Sequence, residues 1–219
     1  MMIKVCGMRA PENICELEAI DIDIVGFVFY PASPRYVADG VEAVSGVGKD
    51  GSGKKKAGVF VNETPERLRD CARCYRLDYI QLHGNESPAV CEAVRRQGYS
   101  VIKAFPVADG ADFRQTENYA HCADYFLFDT KCANYGGSGR RFDWSLLDEY
   151  RGNTPFLLSG GLTPDCADDI RRLHHPAFAG IDLNSGFETS PAVKDIAKLR
   201  DFIRQIRSLD ASVSYGFEF

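Results

Sequence analysis

The chain has 219 residues and carries 26 Lys and Arg against 31 Asp and Glu, a net charge of −5. This length predicts one large domain, and the acidic balance disfavours a nucleic-acid groove or an anionic membrane surface as partner, because both require a basic protein surface. Apolar residues make up 45% of the chain, but charges interrupt them too often to leave a membrane span of about 18 residues.

The first residues lack the charged, apolar and small-residue order of a secretory signal, so we expect a cytoplasmic protein. Eight cysteines are scattered along the chain, and in that compartment we expect reduced thiols. Cys71 and Cys74 form a C-x-x-C pair without a second pair at zinc-ligand spacing. The pattern indicates two buried helix residues and no metal site.

Eight short apolar runs recur along the chain, and they are rich in β-branched and aromatic residues. A polar or glycine-containing turn follows each run, which is typical of parallel strands that are buried on both faces. The predicted strands are 3–6, 24–29, 57–61, 79–82, 101–105, 125–129, 156–159 and 180–183.

Amphipathic stretches with helix start signals separate these runs. Predicted helices begin near Pro11, Pro65, Pro88, Pro164 and Asp195, and Ser or Thr precedes three of the prolines, a natural N-cap and first-turn pair. Strand followed by helix, repeated eight times, favours a single (β/α)8 TIM barrel over residues 1–219, with an open doubly wound sheet as the alternative. Residues 210–219 are predicted to form a loosely packed tail.

Residues 45–56 are rich in glycine, serine and lysine and predict a solvated loop. They nearly spell a phosphate-binding P-loop, with Gly48, Gly53 and Lys54 in place. Lys55 occupies the position that needs a magnesium-binding hydroxyl, and the segment precedes a strand instead of following one. We therefore exclude a nucleoside triphosphatase.

Polar residues end or follow several predicted strands, at the end where barrel enzymes carry their active sites. These residues are Cys6, Arg35, His83, Asp129 and Asp182. A thiolate at Cys6 can remove a carbon-bound proton if its pKa falls towards neutrality, and a protonated Asp129 can deliver a proton to a ring oxygen. Taken singly, each also fits a structural role, as a buried thiol or a helix cap. Together they predict an acid and base pair.

The turns after the last two predicted strands consist of small residues. Gly160 and Gly161 follow the seventh strand, and Asn184, Ser185 and Gly186 follow the eighth. Small residues let backbone N–H groups approach an anion closely, and barrels commonly bind phosphate at these two loops. The sequence therefore predicts a phosphate site here, and tight turns without a ligand are the alternative.

Several motifs occur in order between about residue 2 and residue 206. They are KVCG at 4–7, GFVF at 26–29, SPR at 33–35, GVFV at 58–61, QLHG at 81–84, DT at 129–130, GGSG at 136–139, FDW at 142–144 and SGGL at 159–162. In this order the chain closely resembles the phosphoribosylanthranilate isomerase family of tryptophan biosynthesis.

This resemblance implies an Amadori-type isomerisation of N-(5-phosphoribosyl)anthranilate to 1-(2-carboxyphenylamino)-1-deoxyribulose 5-phosphate, without metal or organic cofactor. It implies Cys6 as the general base, Asp129 as the general acid and Arg35 as the partner of the anthranilate carboxylate. His83 and Asp182 match polar residues with supporting roles. The implied partner is a phosphorylated aminosugar, and we expect a monomer or weak homodimer.

The glycine-rich loop at 136–139 resembles the flexible loop that covers substrate in this family. Asn184 departs from the serine that is common at its position, an exchange that a backbone-based phosphate site tolerates. Two alternatives stay open. A histidine-pathway aminoaldose isomerase performs the same rearrangement, but that family has aspartate where this chain has Cys6. The other alternative is a barrel that binds a phosphosugar without turning it over.

Overall fold

Eight parallel strands form the centre of the molecule. In this computed structural model, which describes residues 1–38, 47, 53–131 and 141–213, each strand pairs with the next along the chain and the last pairs with the first. Every predicted strand is present, and the closed barrel confirms the TIM-barrel prediction and excludes the open sheet. The strands are β1 (Met2–Val5), β2 (Ile24–Val28), β3 (Lys55–Phe60), β4 (Tyr79–Leu82), β5 (Ser100–Val107), β6 (Tyr125–Thr130), β7 (Phe156–Leu158) and β8 (Phe178–Leu183).

Five α-helices pack outside the barrel among the described residues. Four of the predicted helix starts are confirmed to within one residue, and the start predicted near Pro164 is confirmed to within one turn. A short 3-10 turn at Pro164–Cys166 precedes the fourth helix. None of these helices is both long enough and apolar enough to cross a bilayer. The helices are α1 (Pro11–Glu18), α2 (Pro65–Tyr75), α3 (Pro88–Arg96), α4 (Ala167–Arg171) and α5 (Ile196–Val213).

Two connections depart from the predicted alternation of strand and α-helix. The chain forms 3-10 helices at Gly110–Tyr119 after β5 and at Trp144–Glu149 after β6. Both begin at an aspartate whose side chain accepts a backbone N–H two residues later, and Thr116 Oγ1 donates to the Phe113 carbonyl oxygen at 2.6 Å. Such side-chain bonds to the local backbone compete with the α-helical pattern.

Three smaller predictions also need correction. β3 begins at Lys55, inside the predicted loop 45–56, because residues 55 and 56 pair with Ile24 and Val25 of β2. Most of that loop, residues 45–46 and 48–52, lies outside the described residues. Helix α5 continues to Val213, into the predicted tail, and residues 214–219 lie outside the described part of the chain. Cys74 is exposed, not buried as predicted. The seven cysteines among the described residues are all free thiols.

The interior of the barrel changes character along its axis. Near the amino ends of the strands it is apolar, with Ile102 and Leu157 fully buried. Towards the carboxyl ends it becomes polar, because Lys4, Gln81 and Asp182 are buried there as well. Buried polar side chains need partners, so this end of the barrel is where specific interactions concentrate.

Candidate active site

A cleft opens in the mouth of the barrel, at the carboxyl ends of the strands. Its space, counted out to the open mouth, is about 780 Å³, a volume suited to a small molecule. Gly186 does not line the cleft. A Cβ atom there would collide with the Leu162 carbonyl oxygen, so this glycine allows the loops after β7 and β8 to pack closely. The other nine predicted site residues line it: Cys6, Arg35, His83, Asp129, Gly160, Gly161, Asp182, Asn184 and Ser185.

Cys6 follows β1, is 3% exposed and lines the cleft. Lys4 lies two residues earlier and therefore points to the same side of the strand. Its Nζ donates to Asp182 Oδ1 at 2.9 Å, across the junction of β1 and β8. A Cβ atom on Gly26 of β2 would lie 2.8 Å from the Cys6 Sγ. Glycine at that position therefore makes room for the thiol.

The surroundings of Cys6 shift the pKa of its thiol in opposite directions. Burial raises the pKa of the Cys6 thiol, Lys4 opposes this shift, and Asp182 adds to it. For Lys4, burial acts to lower the pKa, but Asp182 and Cys6 raise it above its ordinary value. Lys4 therefore keeps its positive charge beside the thiol. The net shift of the Cys6 pKa is nevertheless opposite to the fall that would favour a base at neutral pH.

Asp129 lies at the carboxyl end of β6, with both oxygens engaged. Oδ1 accepts from the backbone N–H of Thr130 at 2.8 Å, and Oδ2 lies 3.4 Å from Nε2 of His83. The other ring nitrogen of His83, Nδ1, lies 2.8 Å from Nε2 of Gln81. Gly160, at φ +83°, leaves the room that this carboxylate needs, because a Cβ atom there would lie 2.5 Å from Asp129 Oδ1.

Cys6 and Asp129 approach the cleft from nearly opposite walls. Going around the closed barrel from β1 to β6, two strands intervene in one direction and four in the other. A ligand in the centre of the mouth would therefore lie between a thiol and a carboxyl group, which is the arrangement that two-point proton transfer requires.

Arg35 is held in a fixed orientation by Glu188, which follows β8. Its Nε donates to Oε1 at 2.8 Å and its Nη2 to Oε2 at 2.6 Å, a two-point contact between guanidinium and carboxylate. The described residues give Nη1 of Arg35 no hydrogen-bond partner. Lys194 Nζ also donates to Glu188, at 2.6 Å. The three side chains together carry one excess positive charge at the edge of the cleft.

Asn184 is part of the same network. Its Oδ1 accepts from Lys194 Nζ at 2.8 Å, so the amide in place of the family serine gives the buried ammonium of Lys194 a second partner. Glu188 and Lys194 lie on a small antiparallel pair, β9 (Glu188–Ser190) and β10 (Val193–Lys194), after β8. Sequence reasoning missed both of these residues, and it also missed Gln81. The predicted covering loop at 136–139 lies outside the described residues.

Comparisons of sequence agree on one family. A family model for N-(5'-phosphoribosyl)anthranilate (PRA) isomerase matches residues 3–205. The N-(5'-phosphoribosyl)anthranilate isomerase of Parabacteroides distasonis is 55% identical over 206 residues, which cover 94% of this chain and 93% of that protein. The same enzyme of Phocaeicola vulgatus is 47% identical over 207 residues, covering 94% of this chain and 98% of its own.

Comparisons of structure give the same result. Phosphoribosyl anthranilate isomerase from Thermus thermophilus superposes with a TM-score of 0.83 at 32% identity, over 95% of this chain and 100% of that one. A phosphoribosyl anthranilate isomerase in complex with reduced 1-(o-carboxyphenylamino)-1-deoxyribulose 5-phosphate gives 0.79 at 31% identity, over 95% and 99% of the two chains. By sequence and by structure, this chain belongs to the N-(5'-phosphoribosyl)anthranilate isomerase family.

Proposed function

We propose that the chain converts N-(5-phosphoribosyl)anthranilate to 1-(2-carboxyphenylamino)-1-deoxyribulose 5-phosphate, with Asp129 as the general acid and Cys6 as the general base. The observation that carries this assignment is the placement of the two side chains on facing walls of one cleft. The enzyme acts in tryptophan biosynthesis, as its family does.

The first step is ring opening. The protonated Asp129 carboxyl delivers its proton to the furanose oxygen while the bond from C1 to that oxygen breaks. The lone pair of the anthranilate nitrogen moves to C1 and forms an iminium. The substrate's own nitrogen is the electron sink, so the step needs no group beyond the carboxyl. Asp129 is left as a carboxylate, which Thr130 N–H and the His83 ring stabilise.

The second step is proton abstraction. The Cys6 thiolate removes the proton from C2 of the open sugar, and the electron pair of that bond moves towards the iminium to give an enolamine. The enolamine then tautomerises to the ketone product, so the overall change is an isomerisation. Lys4 favours the thiolate form of Cys6 because its ammonium is buried beside it.

The two ends of the substrate are anions, and the cleft has cationic or small-residue surfaces at two places. We assign the phosphate to the loops at Gly160, Gly161, Asn184 and Ser185, where small residues permit close backbone approach. We assign the anthranilate carboxylate to Arg35, whose Nη1 remains available after Glu188 has taken the other edge of the guanidinium.

A fluorescence assay tests this function directly. Phosphoribosylanthranilate is fluorescent, and we expect its emission to decay to completion when a catalytic amount of the protein is added. A barrel that only binds phosphosugars would change the signal in proportion to the protein added, without turnover. Turnover of the histidine-pathway aminoaldose alone would assign the chain to that other isomerase.

The pH dependence of the Cys6 thiol is the first prediction. Because burial raises the pKa of Cys6, we expect its alkylation by iodoacetamide to be slow at neutral pH and to accelerate through the alkaline range as the thiolate forms. The measurement is the rate of labelling of the Cys6 peptide by mass spectrometry from about pH 6 to about pH 10, with the stability of the protein checked at each pH. A labelling rate that is already at its maximum at neutral pH would contradict a raised pKa.

Arg35→Ala is the second prediction. Loss of a charge-assisted contact to the substrate carboxylate is expected to raise KM roughly 10- to 100-fold with little change in kcat. Glu188 stays paired with Lys194 in this variant, so the fold should tolerate it. Arg9→Ala is the matched control, since Arg9 is exposed and contacts the neighbouring Pro34 carbonyl oxygen. An unchanged KM for Arg35→Ala would exclude the carboxylate contact.

We also propose a cytoplasmic enzyme with one barrel domain spanning residues 1–219, working as a monomer or weak homodimer. A Thermotoga maritima relative, 32% identical with a TM-score of 0.78, is described as a dimeric isomerase from which monomers were generated. That relative supports both states as accessible to the fold. Size-exclusion chromatography over a range of protein concentrations distinguishes them.

A further inference from the structure

The imidazole of His83 lies between the polar side chains of Gln81 and Asp129. On one side, Nδ1 is 2.8 Å from the amide nitrogen of Gln81. On the other, Nε2 is 3.4 Å from Asp129 Oδ2. Gln81 is 1% exposed, and His83 and Asp129 side chains are 16% and 13% exposed. The three form a continuous chain from the interior of β4 to the wall of the cleft.

The partners of the ring decide where its hydrogen lies. While Asp129 is ionised its oxygens can only accept, so the nitrogen that faces Asp129 then carries the hydrogen. The amide nitrogen of Gln81 can only donate, so Nδ1 must present its lone pair. Both contacts are satisfied by one form of the ring, the neutral tautomer with hydrogen on Nε2. A second hydrogen on Nδ1 would point at the amide hydrogens of Gln81.

The orientation of the Gln81 amide follows from the same logic. Its Oε1 is buried and has no hydrogen-bond partner among the described residues. Turning the amide over would bring Oε1 to the ring and draw the hydrogen to Nδ1. The bare Nε2 would then face the carboxylate, acceptor against acceptor. The contact to Asp129 therefore favours the orientation seen, although it leaves Oε1 unsatisfied.

We propose that Gln81 is a positioning residue that holds His83 in the tautomer with hydrogen on Nε2, so that His83 donates to Asp129. The inference rests on the proposed role of Asp129 as the acid. A neutral donor stabilises the carboxylate that remains after proton delivery.

Nitrogen NMR of the protein without substrate tests the tautomer. The chain has four histidines, and long-range proton–nitrogen spectra of ¹⁵N-labelled protein separate the two ring nitrogens of each. The His83 signals are assigned by their loss in His83→Gln. We expect a protonated Nε2 and an unprotonated Nδ1 at neutral pH. Hydrogen on Nδ1, or on both nitrogens, would overturn the proposal.

Two variants of Gln81 test its influence. In Gln81→Glu a carboxylate replaces the donor, and we expect hydrogen to appear on His83 Nδ1. In Gln81→Met, which is nearly equal in size, we expect the tautomers to mix. In both we expect kcat to fall about 10-fold or more with KM nearly unchanged, the effect of losing one orienting hydrogen bond. Variants in which neither the spectrum nor kcat changes would overturn the proposal.

The two readouts separate this inference from the function on which it rests. If either variant fails to fold, the spectrum of the unsubstituted protein still decides the tautomer. If the protein turns over phosphoribosylanthranilate but carries hydrogen on His83 Nδ1, only the proposed role of Gln81 is excluded. Absence of turnover in the unsubstituted protein would instead remove the proposed function, whatever tautomer the spectrum shows.

Discussion

Replacing Cys6 by alanine is expected to lower kcat by about 10²- to 10⁴-fold while leaving KM largely unchanged, because the variant loses the base but keeps both anion-binding ends of the cleft. The side chain removed is small and almost fully buried, so the remaining cavity is small as well. The measurement is steady-state turnover of phosphoribosylanthranilate by fluorescence.

Cys71→Ala is the matched control for this loss. Cys71 is 5% exposed and lies on α2, outside the barrel, so the substitution removes the same atom at a similar depth without touching the cleft. We expect its kcat to equal that of the unsubstituted protein. If Cys6→Ala retained turnover, or if both variants lost it equally, Cys6 would not be the base.

Asp129→Asn is expected to cause a loss of kcat of the same order. The amide keeps the shape of the carboxyl group, and its oxygen can still accept from Thr130 N–H. It has no acidic proton to deliver to the furanose oxygen, so ring opening becomes slow. Affinity for the product should change little, because the phosphate and carboxylate contacts remain. Turnover and product binding by titration are the two measurements.

Asp124→Asn controls for general damage to β6. Asp124 precedes that strand at the opposite end of the barrel, and its Oδ2 accepts from Val101 N–H at 2.8 Å. The same change of carboxylate to amide is made there, far from the cleft. Equal losses in the two variants would point to a disturbed strand, and full activity in Asp129→Asn would remove the acid from its role.

The eight strands could be predicted from the sequence because each strand is buried on both faces. The run at 125–129, for example, is apolar until its last residue, Asp129, and this local pattern does not depend on the tertiary context. The 3-10 helices after β5 and β6 could not be predicted in the same way. They depend on how Asp109 and Asp143 bond to the backbone nearby, and the same residues are compatible with an α-helical cap.

Part of the candidate site could be predicted from the sequence for a related reason. The end of a strand is a local property, so the amino-acid sequence alone places Cys6 and Asp129 at one rim. Glu188 contacts Arg35 from 153 positions away, and no local pattern links the two residues. Gln81 did leave a signal: it is a polar residue in an otherwise apolar strand, two positions before His83, so both side chains point to the same side.

Closure of the barrel joins the first strand of the chain to the last. Lys4 contacts Asp182 across 178 positions, and Asn13 contacts Lys194 across 181. A protein is synthesised from its amino end, so the nascent chain presents Lys4 and Cys6 to water long before their partners leave the ribosome. Contacts this distant in sequence also form slowly. We therefore expect assembly of the thiol's surroundings to be among the last events in the maturation of this enzyme.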